Sequence, residues 1–339
     1  MQSHPPAAPG RLTLAEYIHG IRSGNTPVLS RAITLMESQR PTDQALAEAL
    51  VEALLPFSGH AFRLAITGVP GVGKSTFIEA LGQHVTNVAG KKIAVLTIDP
   101  SSQRTHGSIL GDKTRMDTLT RNPRAFIRPS ASGEALNGVA HGTREAMVLC
   151  EAAGYEVIVI ETVGIGQLEA GVRSMVDFFI LLLLAGAGDE LQGIKKGILE
   201  MADALVLTKA DGDNLSRIRQ AKTDLLHALH LFPLPDSGWK VPVLTTSALT
   251  GEGIADVWQQ AEHYRAHTQR SGFFDLQREH QAEAWFAEAV QRLIYEQINR
   301  SANLKQQQEQ MNALVKSKKL SAPSAARQLM KNVYPHDRE

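Results

Sequence analysis

Apolar positions along the 339-residue chain change their period twice. From Leu12 to about Leu55 they recur at helical spacing, as at Leu46, Leu50 and Leu54, with Pro41 and Pro56 at expected helix edges. From Phe62 to about Arg265, short β-rich runs alternate with amphipathic stretches. The expected strands are Arg63–Thr67, Ile93–Ile98, Ala125–Ile127, Val157–Glu161, Asp177–Leu184, Ala204–Leu207 and Val241–Thr245. Helical segments between most of them predict βαβ units, hence an α/β fold with a mainly parallel sheet flanked by helices. After Phe274 the strand signal disappears. Gln277–Arg300 and Asn303–Lys319 favour helix by propensity, and Pro323 is expected to break the chain before a last short helix. Three regions follow: 1–58, 59–268 and 269–339.

The run Gly68, Val69, Pro70, Gly71, Val72, Gly73, Lys74, Ser75, followed by Thr76, fits G-x-x-x-x-G-K-S between an apolar strand and a helix. This is the arrangement of a P-loop. The strand delivers a glycine-rich turn whose amides face inward, and the helix N-terminus adds its positive dipole end. Lys74 is expected on the β- and γ-phosphates and the Ser75 hydroxyl on Mg²⁺. The middle region therefore reads as a P-loop NTPase domain.

Three further segments carry carboxylates. Glu161 ends the strand VIVIE before TVGIGQ, where P-loop hydrolases place a carboxylate for Mg²⁺. Asp99 closes VLTIDPSS and Asp112 lies in GSILGDKTRM; each fits either the metal shell or a helix N-cap. In TKAD, Asp211 can accept both adjacent donors of guanine, which adenine cannot offer, and the Lys209 stem would lie on the base. Thr208 stands where GTPases normally carry asparagine, and it retains a hydroxyl but loses the amide's second group. Ser247, Ala248 and Leu249 follow a later apolar strand, where GTPases place a loop on the guanine oxygen. GTP and GDP are thus the expected ligands.

Composition narrows the class. Hydrophobic residues make up 43% and charged residues 21%, with 35 basic and 35 acidic side chains. That balance gives no electrostatic case for a nucleic-acid or membrane-surface partner. Cys150 is the only cysteine, so an intramolecular disulfide is excluded. The apolar run Val176–Ala185 is far shorter than the roughly 20 residues of a membrane helix. The leader MQSHPPAAPGRL lacks a basic region followed by an apolar one. A soluble, cytoplasmic protein is expected.

In order, GVPGVGKST, DPSS, GSILGDKTRM, FIRPS, TREAMVLCEAAGYEVIVIETVGIGQ, AGAGDELQGIKKGILE and TKADGDN resemble the ArgK/MeaB family over nearly the whole chain. The resemblance implies a GTPase chaperone of adenosylcobalamin-dependent acyl-CoA mutases such as methylmalonyl-CoA mutase. Such proteins gate cofactor loading, protection and reactivation by slow GTP hydrolysis. By resemblance, Lys74 and Ser75 hold phosphate and Mg²⁺, Asp99, Asp112 and Glu161 form the acidic switch and metal set, and Lys209, Asp211 and Ser247–Leu249 hold guanine. Gly186–Lys195 looks like an additional switch, and the helical tail like a dimerisation arm that makes a homodimer. His106, Leu168 and the ASGEALNGVA segment depart from the family pattern, and Gln167 is a candidate for orienting water. The alternatives are a metallochaperone GTPase for nickel or another metal, for which the twelve histidines show no ligand spacing, and a kinase or nucleotide-dependent binding module.

Overall fold

The computed structural model describes residues 12–38, 40–99, 116–131, 142–162, 168–186 and 196–333. The chain divides into two compact units, Met1–Arg278 and Glu279–Glu339. In the first, helices α1 (Leu14–Arg22), α2 (Thr26–Met36) and α3 (Pro41–Leu54) precede the sheet. Thr13 starts α1 with a capping box: Glu16 N–H donates to the Thr13 hydroxyl while Glu16 accepts from the Thr13 amide. Pro41 occupies the first turn of α3, where its missing N–H is not needed.

Seven strands form one sheet in the order β3-β2-β4-β1-β5-β6-β7, every neighbouring pair parallel. They are β1 (Phe62–Gly68), β2 (Ile93–Asp99), β3 (Ala125–Ala131), β4 (Val157–Thr162), β5 (Phe178–Leu183), β6 (Ala204–Leu207) and β7 (Val243–Thr245). All seven expected strands exist, Ala204–Leu207 with its expected bounds and the other six with shifted ends. β3 runs four residues further, paired along β2 to Asp99. Asp177 precedes β5, although its amide donates to the Arg63 carbonyl at 2.9 Å, and Leu184 follows it. Val241 and Pro242 precede β7 rather than belong to it.

The connecting helices are α4 (Lys74–Asn87), α5 (Asp117–Thr120), α6 (Thr143–Ala152), α7 (Leu168–Arg173), α8 (Lys196–Met201), α9 (Leu215–Leu229) and α10 (Ile254–Ser271). The crossover from β1 to β2 runs opposite to those joining β3 to β4 and β4 to β5. Right-handed crossovers therefore place α4 on one face and α6 and α7 on the other. On the α4 face, Phe77, Ile78, Leu81 and Val85 pack with Phe62, Leu64, Ile66, Val95 and Val159, and α10 adds Val257, Trp258 and Tyr264. On the other, α1–α3 pack against α6.

The N-terminal ends of the strands are tied by buried ions. Asp177 accepts from Arg278 Nε (2.9 Å) and Nη2 (2.7 Å) and from the Arg63 amide (2.8 Å). Arg278 also donates to the carbonyls of Gly59 and Ala61, both at 2.6 Å. Asp203 accepts from Arg173 at 2.7 Å and from the Phe179 amide at 2.8 Å.

After α11 (Phe273–Arg300), which runs into the second unit, come α12 (Ala302–Lys316), capped by Ser301, and α13 (Ala322–Val333). Pro323 lies inside the first turn of α13 instead of ahead of the helix, because a proline there forfeits no intrahelical bond. No helix among the described residues is long and apolar enough to cross a membrane.

Candidate functional site

Parallel strands deliver all their loops to one edge, and ligands of open α/β sheets bind outside the carboxyl ends of the strands. The P-loop leaves β1 there, at the centre of the sheet. Gly68 approaches β5 so closely that a Cβ would lie 2.6 Å from the Leu182 carbonyl oxygen. Gly73 takes φ 97° as the residue before α4, a left-handed conformation that favours glycine.

Lys74 opens α4 and folds back over the loop, its Nζ donating to the Gly68 carbonyl at 2.7 Å and the Val69 carbonyl at 3.3 Å. Burial holds this ammonium below the usual lysine pKa, and the Glu161 carboxylate opposes the shift. Thr76 is exposed in the same first turn.

Glu161 is buried near the end of β4, paired in the ladder with Ile66. The Ser75 hydroxyl donates to its Oε1 at 3.2 Å. Beside them, the Thr162 hydroxyl donates to that of Thr67 at 2.7 Å, bracing β4 against β1. Hydroxyl and carboxylate oxygens are the hard donors Mg²⁺ takes, so Ser75 and Glu161 fit that ion. Among the described residues, no group of three or more His, Cys, Asp or Glu side chains is placed to hold a metal.

The TKAD segment is bolted to the P-loop. The buried Thr208 hydroxyl donates to the Val72 carbonyl at 2.7 Å, and Lys209 Nζ to the Gly71 carbonyl at 2.9 Å. Thr208 therefore makes the backbone contact for which its hydroxyl suffices. Lys209 sits at φ 57°, a conformation rare for a residue with a side chain, and the Asn214 side chain holds its carbonyl at 2.9 Å.

Asp211 is oriented by Ser247, whose hydroxyl donates to Oδ2 at 2.5 Å and accepts from the Thr250 amide at 3.2 Å. The Ala210 amide donates to the Thr246 carbonyl and the Thr246 amide to Leu207, so the TKAD and SAL turns are laced together. Ala248 and the exposed Leu249 follow.

The structure thus gathers Gly68–Ser75, Glu161, Lys209, Asp211 and Ser247 along one edge. Asp99 closes β2 on that edge, and its side chain lies outside the described residues. Asp112, His106, Gln167 and the ASGEALNGVA segment beyond Ala131 lie outside them too, as does Gly186–Lys195 beyond Gly186. Sequence reasoning missed Asn214 and the Thr67–Thr162 pair. An asparagine three residues after a K-x-D aspartate could have signalled the first; two threonines in distant strands carry no local signal.

Residues 29–303 match the family described as methylmalonyl-CoA mutase-associated GTPase MeaB. The chain is 46% identical to a probable GTPase of Mycobacterium tuberculosis H37Rv over 91% of its length and 92% of the relative's. It is 43% identical to the GTPase ArgK of Escherichia coli K12 over 94% and 96% of the two chains. The mouse mitochondrial methylmalonic aciduria type A homolog is 40% identical, over 92% of this chain and 77% of that one. A crystal structure of a LAO/AO transport system kinase superposes with a TM-score of 0.75 at 36% identity, covering 96% and 99% of the two chains. With a P-loop joined to the TKAD turn and relatives aligned over most of the chain, the protein is a GTPase and belongs to the methylmalonyl-CoA mutase-associated GTPase family.

Proposed function

We propose that the protein is a GTP-driven chaperone that gates adenosylcobalamin loading, protection and reactivation of an adenosylcobalamin-dependent acyl-CoA mutase, methylmalonyl-CoA mutase or a relative. Membership of a mutase-associated GTPase family carries this reading. The joint between phosphate loop and base loop supports it, since contacts at either end of the nucleotide are felt at the other.

In this reading Gly68–Thr76 cradles the phosphates, and Lys74 exchanges its two loop carbonyls for phosphate oxygens. Each contact is charge-assisted, and such bonds are worth about 1.5–3 kcal/mol. Asp211 selects guanine through its paired acceptor oxygens, held in orientation by Ser247, and Lys209, Ala248 and Leu249 line the base. Ser75, Glu161, Asp99 and Asp112 would hold Mg²⁺, which when bound neutralises charge on the β- and γ-phosphates. Lys74 is already desolvated and aimed at the loop, so charge developing on the phosphates meets a preorganised cation. Gly186–Lys195 serves as the mutase-responsive switch.

A homodimer through the helical tail belongs to the same proposal. Along α11, Phe286, Val290 and Leu293 recur at helical spacing and are exposed, Phe286 by 72%. Light scattering of wild type and Phe286→Asp checks this, with a dimer and a monomer expected.

The deciding experiment incubates the purified protein with candidate adenosylcobalamin-dependent mutases, following GTP turnover and co-elution. Stimulated turnover and a stable complex are expected. No complex and no stimulation with any of them overturns the chaperone reading, and transfer of the γ-phosphate to a protein instead of water would favour a kinase.

A further inference from the structure

Thr97 is a buried polar residue in β2, 1% exposed, and among the described residues its hydroxyl has no hydrogen-bond partner. A buried hydroxyl left unsatisfied costs about 1–3 kcal/mol, so its place in the sheet needs a reason.

In the ladder Thr97 lies between Pro129 of β3 and Glu161 of β4. Proline offers no polar side chain, which leaves Glu161 as the polar ladder neighbour. Strand alternation puts both on the same face. Ile93 and Val95 of β2, and Val157 and Val159 of β4, belong to the core under α4, and Thr97 and Glu161 continue those rows by two. That is the face from which Ser75 reaches Glu161. Paired residues on adjacent strands are roughly 5 Å apart, within reach of a hydroxyl and a four-atom carboxylate arm.

An ionised carboxylate has about four acceptor positions. Ser75 approaches Glu161 from the helix above, and Thr97 stands beside it on the neighbouring strand. We propose that Thr97 is a positioning residue for the cation site: its hydroxyl donates to the Glu161 carboxylate when a divalent cation is bound and fixes that carboxylate's orientation. The inference rests on the reading of Glu161 as a Mg²⁺ ligand.

Thr97→Val keeps the shape and removes the hydroxyl; Thr97→Ser keeps the hydroxyl. The experiment follows dissociation of a fluorescent GDP analogue against Mg²⁺ concentration, with urea unfolding measured on the cation-free proteins. The valine variant is expected to be as stable as wild type or more so, while needing roughly 5- to 10-fold more Mg²⁺ for half-maximal retention. Its GDP affinity in EDTA should be unchanged, and the serine variant should restore the wild-type Mg²⁺ requirement. An unaltered Mg²⁺ requirement in Thr97→Val overturns the proposal and leaves the Mg²⁺ reading intact. Wild-type retention that ignores Mg²⁺ overturns the metal reading of Glu161 itself, and this inference with it.

Discussion

The Thr208 hydroxyl donates to the Val72 carbonyl at 2.7 Å, joining residues 136 positions apart and closing the TKAD turn onto the phosphate loop. Thr208→Val leaves that buried carbonyl without its donor, at a cost of about 1–3 kcal/mol. Both urea stability and GTP affinity should fall, and Thr208→Asn should recover most of each. Calorimetric titration with GTP and with ATP measures the affinity and shows whether guanine preference moves with it.

Lys74→Ala removes the charge proposed to meet the phosphates. Two charge-assisted contacts of about 1.5–3 kcal/mol each predict a loss of GTP affinity of at least about 100-fold. Among the described residues Nζ hydrogen-bonds the carbonyls of the loop itself, so the far-ultraviolet dichroism should be unchanged. Equilibrium binding of a fluorescent GTP analogue checks the first point.

At Gly68 a methyl group would meet the Leu182 carbonyl oxygen at 2.6 Å, against the backbone of the next strand. Gly68→Ala must push β1 and β5 apart, and overpacking of this kind typically costs about 1–3 kcal/mol. Thermal unfolding should show the drop, and the displaced loop should bind GDP more weakly than wild type.

How much of this was legible beforehand depends on the range of the interaction. The P-loop is a local device of eight residues, so Gly68–Ser75 could be read directly. All seven strands showed as apolar runs, because strands covered on both faces carry few polar positions. The role of Asp177, at the head of β5, could not be read from its own residues, because its partner Arg278 lies 101 positions later. Thr208 was legible as a departure from N-K-x-D, but its acceptor lies in a loop far away in sequence. The Ser247 hydroxyl on Asp211 was equally hidden, since two turns on different strands meet only after the sheet is built.

Arg278→Ala breaks a buried pair and strips donors from two carbonyls at the start of β1. Removing one partner of such a pair costs about 3–5 kcal/mol. Arg278→Lys should rescue little, because an ammonium cannot reproduce the two-pronged contact with Asp177. Chemical denaturation of the three proteins makes the comparison.

Burial pushes the Asp203 carboxyl up to about 6, against the opposing pull of the Arg173 guanidinium and the Phe179 amide. An acid with a raised folded pKa binds its proton more tightly in the native state. Its contribution is complete below the unfolded value, near 4, and is lost as pH rises through about 6. The loss is at most about 3 kcal/mol. Stability measured between pH 4 and 7 should include this fall, and Asp203→Asn should flatten it while lowering stability at neutral pH, where Arg173 loses its counter-ion.

The joint between the phosphate loop and the base turn also bears on the order of folding. Lys209 closes onto the Gly71 carbonyl across 138 residues. Contacts so remote in sequence form only after the intervening chain has been brought together. A growing chain that has emerged only through β4 therefore holds the whole phosphate-loop sequence, its strand and its helix, yet lacks the two side chains that clamp the loop from outside. Its grip on nucleotide should tighten only when β6 and the turn beyond it arrive. Guanine-nucleotide affinity thus reports the arrival of β6, and the ligand itself favours that strand's docking by binding more tightly once its turn has closed.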